Sequence, residues 1–207
     1  MSIISAHKAT KKDVENVMVR CLRTNSVYGN KFLPLGRKDN RGDYCFVLGS
    51  GKENRFVTLL GAPRPYEKDG KVTDSNKFSM GITISTDEER KFFNGIDEQI
   101  IKEINANQKN LSPDNKEIKE NYMLTLLEKD GYSPMLYVKF NVDNSKVYSW
   151  NSGNKGSSLI SYREIINGDK AMVILKLDRV TIHKNRMKLD CLVKDIYINR
   201  ESTNEFL

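Results

Sequence analysis

Apolar and polar residues alternate along much of the second half of the chain. In residues 170–200, apolar side chains occupy every second position through most of the stretch. A period of two is typical of a strand with one buried face, whereas a helix repeats every 3.6 residues. The pattern predicts one strand to about Ile182, a short polar loop, and a second strand that returns through Ile198. The outward positions of this hairpin are mostly basic, so it needs a core for one face and favours an anion for the other.

The same alternation predicts further strands at 44–48, 55–60, 77–85 and 135–142. The first two are joined by Gly49-Ser50-Gly51-Lys52, which lacks the GxxxxGK[ST] spacing of a phosphate-binding loop and is interpreted as a hairpin turn. Residues 25–41 contain several glycines and a proline, so a loop is predicted there. That loop is either simply solvated or a basic arm that lies along a phosphate backbone.

Helical periodicity appears only in the middle of the chain. Apolar residues recur at three- and four-residue spacing from Phe92 to Ile104, after an acidic first turn, and predict a helix over 87–107. A second helix is predicted over 116–129. The sequence therefore predicts a β-rich α+β fold: a single domain, 1–207, in which five or more antiparallel strands close into an OB-like β-barrel, with a basic N-terminal extension at 1–41 and a helical insertion at about 86–130.

The distribution of charge adds a candidate partner. The net charge is +7, and the sequence pI is about 9.2. Residues 1–41 carry nine Lys/Arg against three Asp/Glu and residues 131–207 twelve against eight, whereas residues 85–130 carry seven against eleven. Basic segments that flank an acidic middle favour a polyanionic partner, and nucleic acid is the commonest.

Several other function classes lack support in the sequence. No apolar run is long enough to span a bilayer and no signal peptide is recognisable, so we expect no membrane partner and a reducing compartment. Cys21, Cys45 and Cys191 are odd in number and widely separated, so buried free thiols are expected rather than a zinc site. His7 and His183 belong to no catalytic motif. We expect no enzyme, no catalytic residue, no cofactor and no metal.

Aromatic side chains interleaved with Lys and Arg can stack unpaired bases while they neutralise phosphates. Phe46, Phe56 and Phe78 are expected in the core. The candidate nucleic-acid-binding residues are Tyr44, Arg55, Arg64, Tyr66, Lys77, Tyr137, Lys139, Tyr148, Trp150, Lys155, Lys176, Arg179, Lys184, Arg186 and Lys188.

The order of the segments resembles a known family. RFVTLLGAPRPY, KFSMGITIS, TDEERKFFNGIDEQIIKEI, SPMLYVKFNVD and the hairpin VILKLDRVTIHKNRMKLDCLVKDIYI follow one another as in the OB-fold single-stranded DNA-binding proteins of nucleocytoplasmic large DNA viruses. The matching points are Pro63, the pattern Phe93, Ile96 and Asp97 in the helix, the strand after Pro134, and the closing hairpin. The resemblance covers about residues 55–199, and residues 1–40 match nothing in it.

This resemblance implies a protein that coats displaced single strands during viral DNA replication, in the host cytoplasm or nucleus and without a metal. The partner it implies is single-stranded nucleic acid, DNA rather than RNA, with self-association or replication proteins as further partners. Two alternatives stay open. One is a protein-interaction or assembly subunit whose basic face meets an acidic partner, and the other is an RNA-binding nucleoprotein.

Overall fold

The computed structural model describes residues 3–25, 29–39, 42–49, 55–59, 66–68, 71–73, 77–107, 115–150, 156–184 and 186–200. The α-helices within these ranges are α1 Lys11–Glu15, α2 Asp87–Asn107 and α3 Asn115–Asn121, and short 3₁₀ turns span Ala6–Lys8 and Tyr162–Glu164. The strands are β1 Ile4–Ser5, β2 Val17–Val19, β3 Arg23–Thr24, β4 Lys31–Arg37, β5 Tyr44–Leu48, β6 Arg55–Leu59, β7 Tyr66–Lys68, β8 Lys71–Thr73, β9 Lys77–Thr83, β10 Tyr122–Met123, β11 Leu126–Leu127, β12 Met135–Asn141, β13 Lys146–Trp150, β14 Ser157–Ile160, β15 Asp169–His183 and β16 Arg186–Asn199.

The predicted α+β, β-rich class is confirmed, and the sheet is mixed. β6 pairs with β9 and β9 with β12 in antiparallel ladders, as predicted. In contrast, β10, β12 and β13 each run parallel to β16. Alternation predicts that a strand has one buried face, but it does not encode the direction of the neighbouring strand, which depends on the connection between them.

The chain divides into two compact units. Unit 1 consists of Met1–Phe46, Thr86–Leu127 and Lys176–Cys191, and unit 2 of Val47–Ser85, Glu128–Leu175 and Leu192–Leu207. The long strands β15 and β16 each contribute one part to unit 1 and another to unit 2. In the described part of the chain, no helix is both long enough and apolar enough to cross a membrane.

Helix α2 is the centre of unit 1, and it confirms the predicted helix over 87–107. Its first turn is capped by Thr86, whose Oγ1 accepts a hydrogen bond from the Glu89 N–H at 3.3 Å. The apolar face of α2 is buried, and the ring of Phe93 packs edge-on against Phe46 with the ring centroids 5.6 Å apart. Phe46 is thus a core residue, as expected.

The helix predicted over 116–129 is wrong in its second half, because α3 ends at Asn121. Tyr122 instead pairs with Met187 in the ladder between β10 and β16. The buried carboxylate of Asp97 on α2 accepts hydrogen bonds from the Tyr122 hydroxyl and the Thr125 N–H, both at 2.8 Å. These contacts hold the chain extended where the residue pattern alone allowed a helix.

The loop predicted over 25–41 is also wrong in part, because residues 31–37 form β4. Leu33 and Leu35 are buried, and β4 pairs with β2 and β15 on its two sides. The burial of these leucines outweighs the loop preference of the Pro34 and Gly36 between them. Of the cysteines, Cys45 and Cys191 are buried as expected, whereas Cys21 is exposed.

Both long strands contain a break in alternation that keeps their apolar residues on the core side. In β15, Leu177 and Val180 are buried and two half-buried residues lie between them. In β16, Val193 and Ile196 are buried with Lys194 and Asp195 between them. Two consecutive residues on the outer side are the pattern of a β-bulge, which shifts the phase of the strand by one residue. A uniform period of two therefore does not describe either strand along its full length.

Candidate nucleic-acid interface

The strands of unit 2 present an accessible sheet surface opposite their buried side chains. On β12, Leu136, Val138 and Phe140 are buried, so Tyr137 and Lys139 lie on the opposite face. We call this surface the open face. Its members are Phe56, Lys77, Tyr137, Lys139, Lys146, Tyr148, Trp150, Lys170, Lys194 and Tyr197.

One end of the open face combines an aromatic ring with an ammonium group. Phe56 on β6 is 45% exposed, so its expected place in the core is wrong. It is paired with Lys170 on β15, whose Nζ lies 6.0 Å from the centre of the ring. Its neighbour Val57 is fully buried, and the alternation of the strand therefore turns Phe56 outward. Phe78, by contrast, is in the core as expected and stacks on Phe140 at 4.6 Å.

The middle of the open face has small residues next to larger ones. On β9, Gly81 pairs with Tyr137 and Ser79 pairs with Lys139. Lys77, at the start of the same strand, pairs with Asn141 and is exposed, as is Lys139. The half-buried ring of Tyr137 thus lies beside a glycine of β9, which has no side chain to cover it.

The other end of the open face is an aromatic cluster. β13 and β16 run parallel, and Tyr148 is paired with Tyr197 and Trp150 with Asn199. The rings of Tyr148 and Tyr197 are stacked, with centroids 4.8 Å apart and an interplanar angle of 12°. All three aromatic side chains are half-buried. Parallel rings at this separation are in the favourable range for aromatic pairs, and a half-buried ring still offers surface to a further planar group.

The break in alternation at Lys194 and Asp195 places Tyr197 on this face. Ile196 and Ile198 are buried on either side of Tyr197, so an unbroken alternation from Val193 would have turned the tyrosine inward. Burial is the main factor that raises the pKa of Tyr197 above its usual value, and the nearby Asp195 and Tyr148 add to it. The hydroxyl of Tyr197 therefore stays neutral near pH 7 and adds no negative charge to the surface.

Four predicted site residues are buried or paired within the protein. Tyr44 is fully buried, and its hydroxyl donates to the Asp13 carbonyl at 2.7 Å. Arg55 is only 2% exposed. Lys176 is partly buried and pairs with Asp43 at 2.9 Å, and Arg179 is bonded to the adjacent Asp178. Each of these positions fits the alternation of a strand. The pattern does not show whether the residue is buried or whether its polar group already has a partner within the protein.

The remaining predicted residues have different outcomes. Lys77, Tyr137, Lys139, Tyr148 and Trp150 all lie on the open face, which brings together one third of the predicted set. Arg64 and Lys155 lie outside the described residues. Tyr66 lies in β7, where it pairs with Thr73 of β8. Lys184, Arg186 and Lys188 are exposed on the part of the hairpin that belongs to unit 1.

Sequence reasoning missed five members of the open face: Phe56, Lys146, Lys170, Lys194 and Tyr197. Tyr197 had a usable signal, because it lies between two isoleucines that alternation assigns to the core. For Phe56 there was no such signal, since a phenylalanine in a strand is usually buried. Among the residues that the structure describes, no cluster of three or more His, Cys, Asp or Glu side chains could hold a metal ion.

No protein-family model and no curated protein matches the chain. Two solved structures of the single-stranded DNA-binding protein from bacteriophage Enc34 are similar to it, each at 13% identity. The complex with ssDNA covers 80% of this chain and 89% of that chain with a TM-score of 0.44. The C-terminal truncation covers 86% and 94% with a TM-score of 0.46. Likeness at this level carries no argument about binding, and the attribution to nucleocytoplasmic large DNA viruses stays a prediction.

Proposed function

We propose that this protein binds single-stranded nucleic acid on the open face, with little dependence on sequence. The observation that supports this most strongly is the stacked pair Tyr148 and Tyr197, with Trp150 two residues from Tyr148 on the same strand, on a surface that also carries five lysines. Rings give bases a stacking surface, and ammonium groups neutralise the phosphates that link them.

The chemistry of this surface favours single strands over duplexes. A base can stack on a protein side chain only if its own face is free, and in a duplex both faces are covered by neighbouring base pairs. Every base has such a face, so binding through Tyr137, Tyr148 and Trp150 does not require a particular sequence. Flexible lysine ammonium groups also suit phosphates at variable positions.

The preferred nucleic acid that we propose is DNA, as the resemblance of the sequence implies, and the role is the coating of displaced strands in viral DNA replication inside the host cell. A protein with this role must accept any sequence, which the open face supports through stacking rather than base-specific hydrogen bonds. Self-association and contacts with replication proteins belong to the same proposal.

A charge-reversal pair tests the open face directly. Lys77→Glu with Lys139→Glu changes two lysines on neighbouring strands, while Lys91→Glu with Lys102→Glu makes the same charge change at two exposed positions of α2 in unit 1. We expect the first pair to weaken binding of a labelled oligo-dT by on the order of tenfold or more in fluorescence anisotropy, since each lost or reversed surface contact contributes up to about 1 kcal/mol. The control pair should change it little. Equal losses in both pairs, or no binding by the unchanged protein, would overturn the proposal.

A further inference from the structure

Unit 1 carries a second basic surface, which is formed by β3, β4 and the parts of β15 and β16 that belong to unit 1. Arg23 on β3 pairs with Phe32 on β4, and Thr181 on β15 pairs with Phe32 from the other side. Leu33 and Val180, the neighbours of these residues in sequence, are fully buried. Because side chains alternate between the two sides of a strand, Phe32 and Thr181 lie on the side opposite the core.

The strand β16 extends this surface. Met187 and Leu189 are buried, so Arg186 and Lys188 lie on the outer side, and Lys188 pairs with Met123 of β10. Both basic side chains are exposed, as is Arg23. We call the surface made by Arg23, Phe32, Arg179, Arg186 and Lys188 the hairpin face.

An arginine stacked on an aromatic ring lies within the hairpin face. The guanidinium of Arg179 lies over the ring of Phe32, with Cζ 4.6 Å from the ring centre, and its Nε is bonded to Asp178. A guanidinium held by a ring and a carboxylate has lost most of its freedom before any ligand arrives. The side chain is still 37% exposed, so some of it faces solvent.

The carboxylates close to the hairpin face are engaged with other groups. Asp190 is 7% exposed and accepts a hydrogen bond from the Thr181 hydroxyl. Asp178 is bonded to Arg179 and lies 3.7 Å from the Nζ of Lys176. The exposed side chains of the hairpin face are the basic residues Arg23, Arg186 and Lys188.

We infer that the hairpin face is a second contact surface for the phosphodiester backbone of single-stranded nucleic acid. This inference rests on the proposed function of the open face. The two surfaces differ in chemistry, because the ring of Phe32 is covered by Arg179, whereas the aromatic cluster of unit 2 offers ring surface to bases. The hairpin face thus binds phosphates and does not stack with the bases.

Two surfaces on one chain have a measurable consequence. A short strand that is fully taken up by the open face has no phosphates left for a second surface. A longer strand bound at the open face has free phosphates, and they meet the hairpin face of the same chain at a raised effective concentration. A longer strand offers more positions at which the protein can bind, and this alone raises the apparent affinity. The second surface should raise the affinity for long strands further. Removal of the hairpin face should abolish that increase and leave the binding of short strands unchanged.

The test uses the full chain with Arg186→Glu and Lys188→Glu together, and oligo-dT of about 8 and about 40 nucleotides, lengths below and well above the site size of one OB-like barrel. For the variant we expect unchanged affinity for the short strand, a loss on the order of tenfold for the long one, and a salt slope smaller by about 1. Lys91→Glu with Lys102→Glu is the control, and Arg186→Gln with Lys188→Gln should give a smaller loss in the same direction. Circular dichroism checks that each variant is folded.

The outcomes separate this inference from the proposed function. If the unchanged protein binds neither length, the proposed function itself is wrong. If it binds both and the variant equals it at both lengths, the open face stands and the hairpin face binds no nucleic acid, as would be expected if it docked an acidic protein. Equal losses at both lengths would show that the hairpin face is not a separate surface, and would also overturn the inference.

Discussion

At the scale of single residues, the stacked pair Tyr148 and Tyr197 is the feature on which the proposed base binding depends. The two rings are stacked with centroids 4.8 Å apart, and each is only half-buried. Trp150, half-buried two residues along β13, provides a further ring. The contribution that we propose for these rings comes from stacking, which does not depend strongly on salt.

Replacing Tyr148 with alanine should weaken the binding of oligo-dT by about 1–3 kcal/mol, the usual contribution of one stacked base. This corresponds to an increase in Kd of about 5- to 150-fold. A matched control is Tyr132→Ala, because Tyr132 is 71% exposed and lies in the turn before β12. Isothermal titration of both variants would check this. If Tyr132→Ala weakens binding as much as Tyr148→Ala, the stacking role of Tyr148 is wrong.

Two pairs of residues show which features the sequence pattern does not predict. Tyr44 and Tyr148 both lie in strands. The Tyr44 hydroxyl donates a hydrogen bond to the Asp13 carbonyl, whereas Tyr148 lies on an accessible face. Phe46 and Phe56 both lie in apolar strands, and only Phe46 is in the core. Alternation identifies which residues share a side of a strand. Which side is buried depends on partners that are distant in the sequence, here Asp13 and the strands on either side of β6.

At the scale of elements, the strongest sequence patterns gave the most accurate predictions. The bounds of α2 agree with the predicted helix because a capping residue, an acidic first turn and a continuous apolar stripe all indicate the same segment. The end of α3 was missed, since Tyr122 and Thr125 are held by hydrogen bonds that they donate to Asp97, more than 20 residues earlier in the sequence. The breaks in alternation in β15 and β16 were missed for a related reason. Each half of these strands buries its apolar residues against different neighbours, and the local pattern does not show where one half ends and the other begins.

The Asp97 cluster gives a prediction about pH. Burial is the main factor that raises the pKa of Asp97 above 3.8, although hydrogen bonds from Thr125 and Tyr122 oppose it. A raised pKa means that the folded state binds the proton more tightly than the unfolded state. The protonated form of Asp97 therefore stabilises the folded state. This contribution is fully present below about pH 3.8, and it is lost as the pH rises through the raised pKa.

Asp97→Asn removes this titration and leaves the Thr125 N–H facing an amide group in place of a carboxylate oxygen. We expect the variant to be less stable by about 1–3 kcal/mol at the acidic end. The difference from the unchanged protein should shrink as the pH rises. Urea unfolding of both proteins across a pH series measures this difference. A gap that widens with increasing pH would contradict a raised pKa for Asp97.

At the scale of the whole molecule, the amount of basic charge can be read from the sequence, whereas its location on the surface can be read only from the structure. The excess of Lys and Arg was visible in the sequence, and it predicted a polyanionic partner without indicating where that partner binds. The structure divides the basic residues between an open face with accessible rings in unit 2 and a hairpin face with a covered ring in unit 1. On the open face, the basic side chains are the five lysines 77, 139, 146, 170 and 194.

The most direct test of the central claim is a titration of the unchanged protein with oligo-dT of about 8 nucleotides and with duplex DNA of equal length, followed by the fluorescence of Trp150, the only tryptophan in the chain. We expect quenching by oligo-dT, a binding constant that falls as the salt concentration rises, and far weaker binding of the duplex. Equal affinity for both, or binding that leaves Trp150 unquenched, would contradict base stacking on the open face.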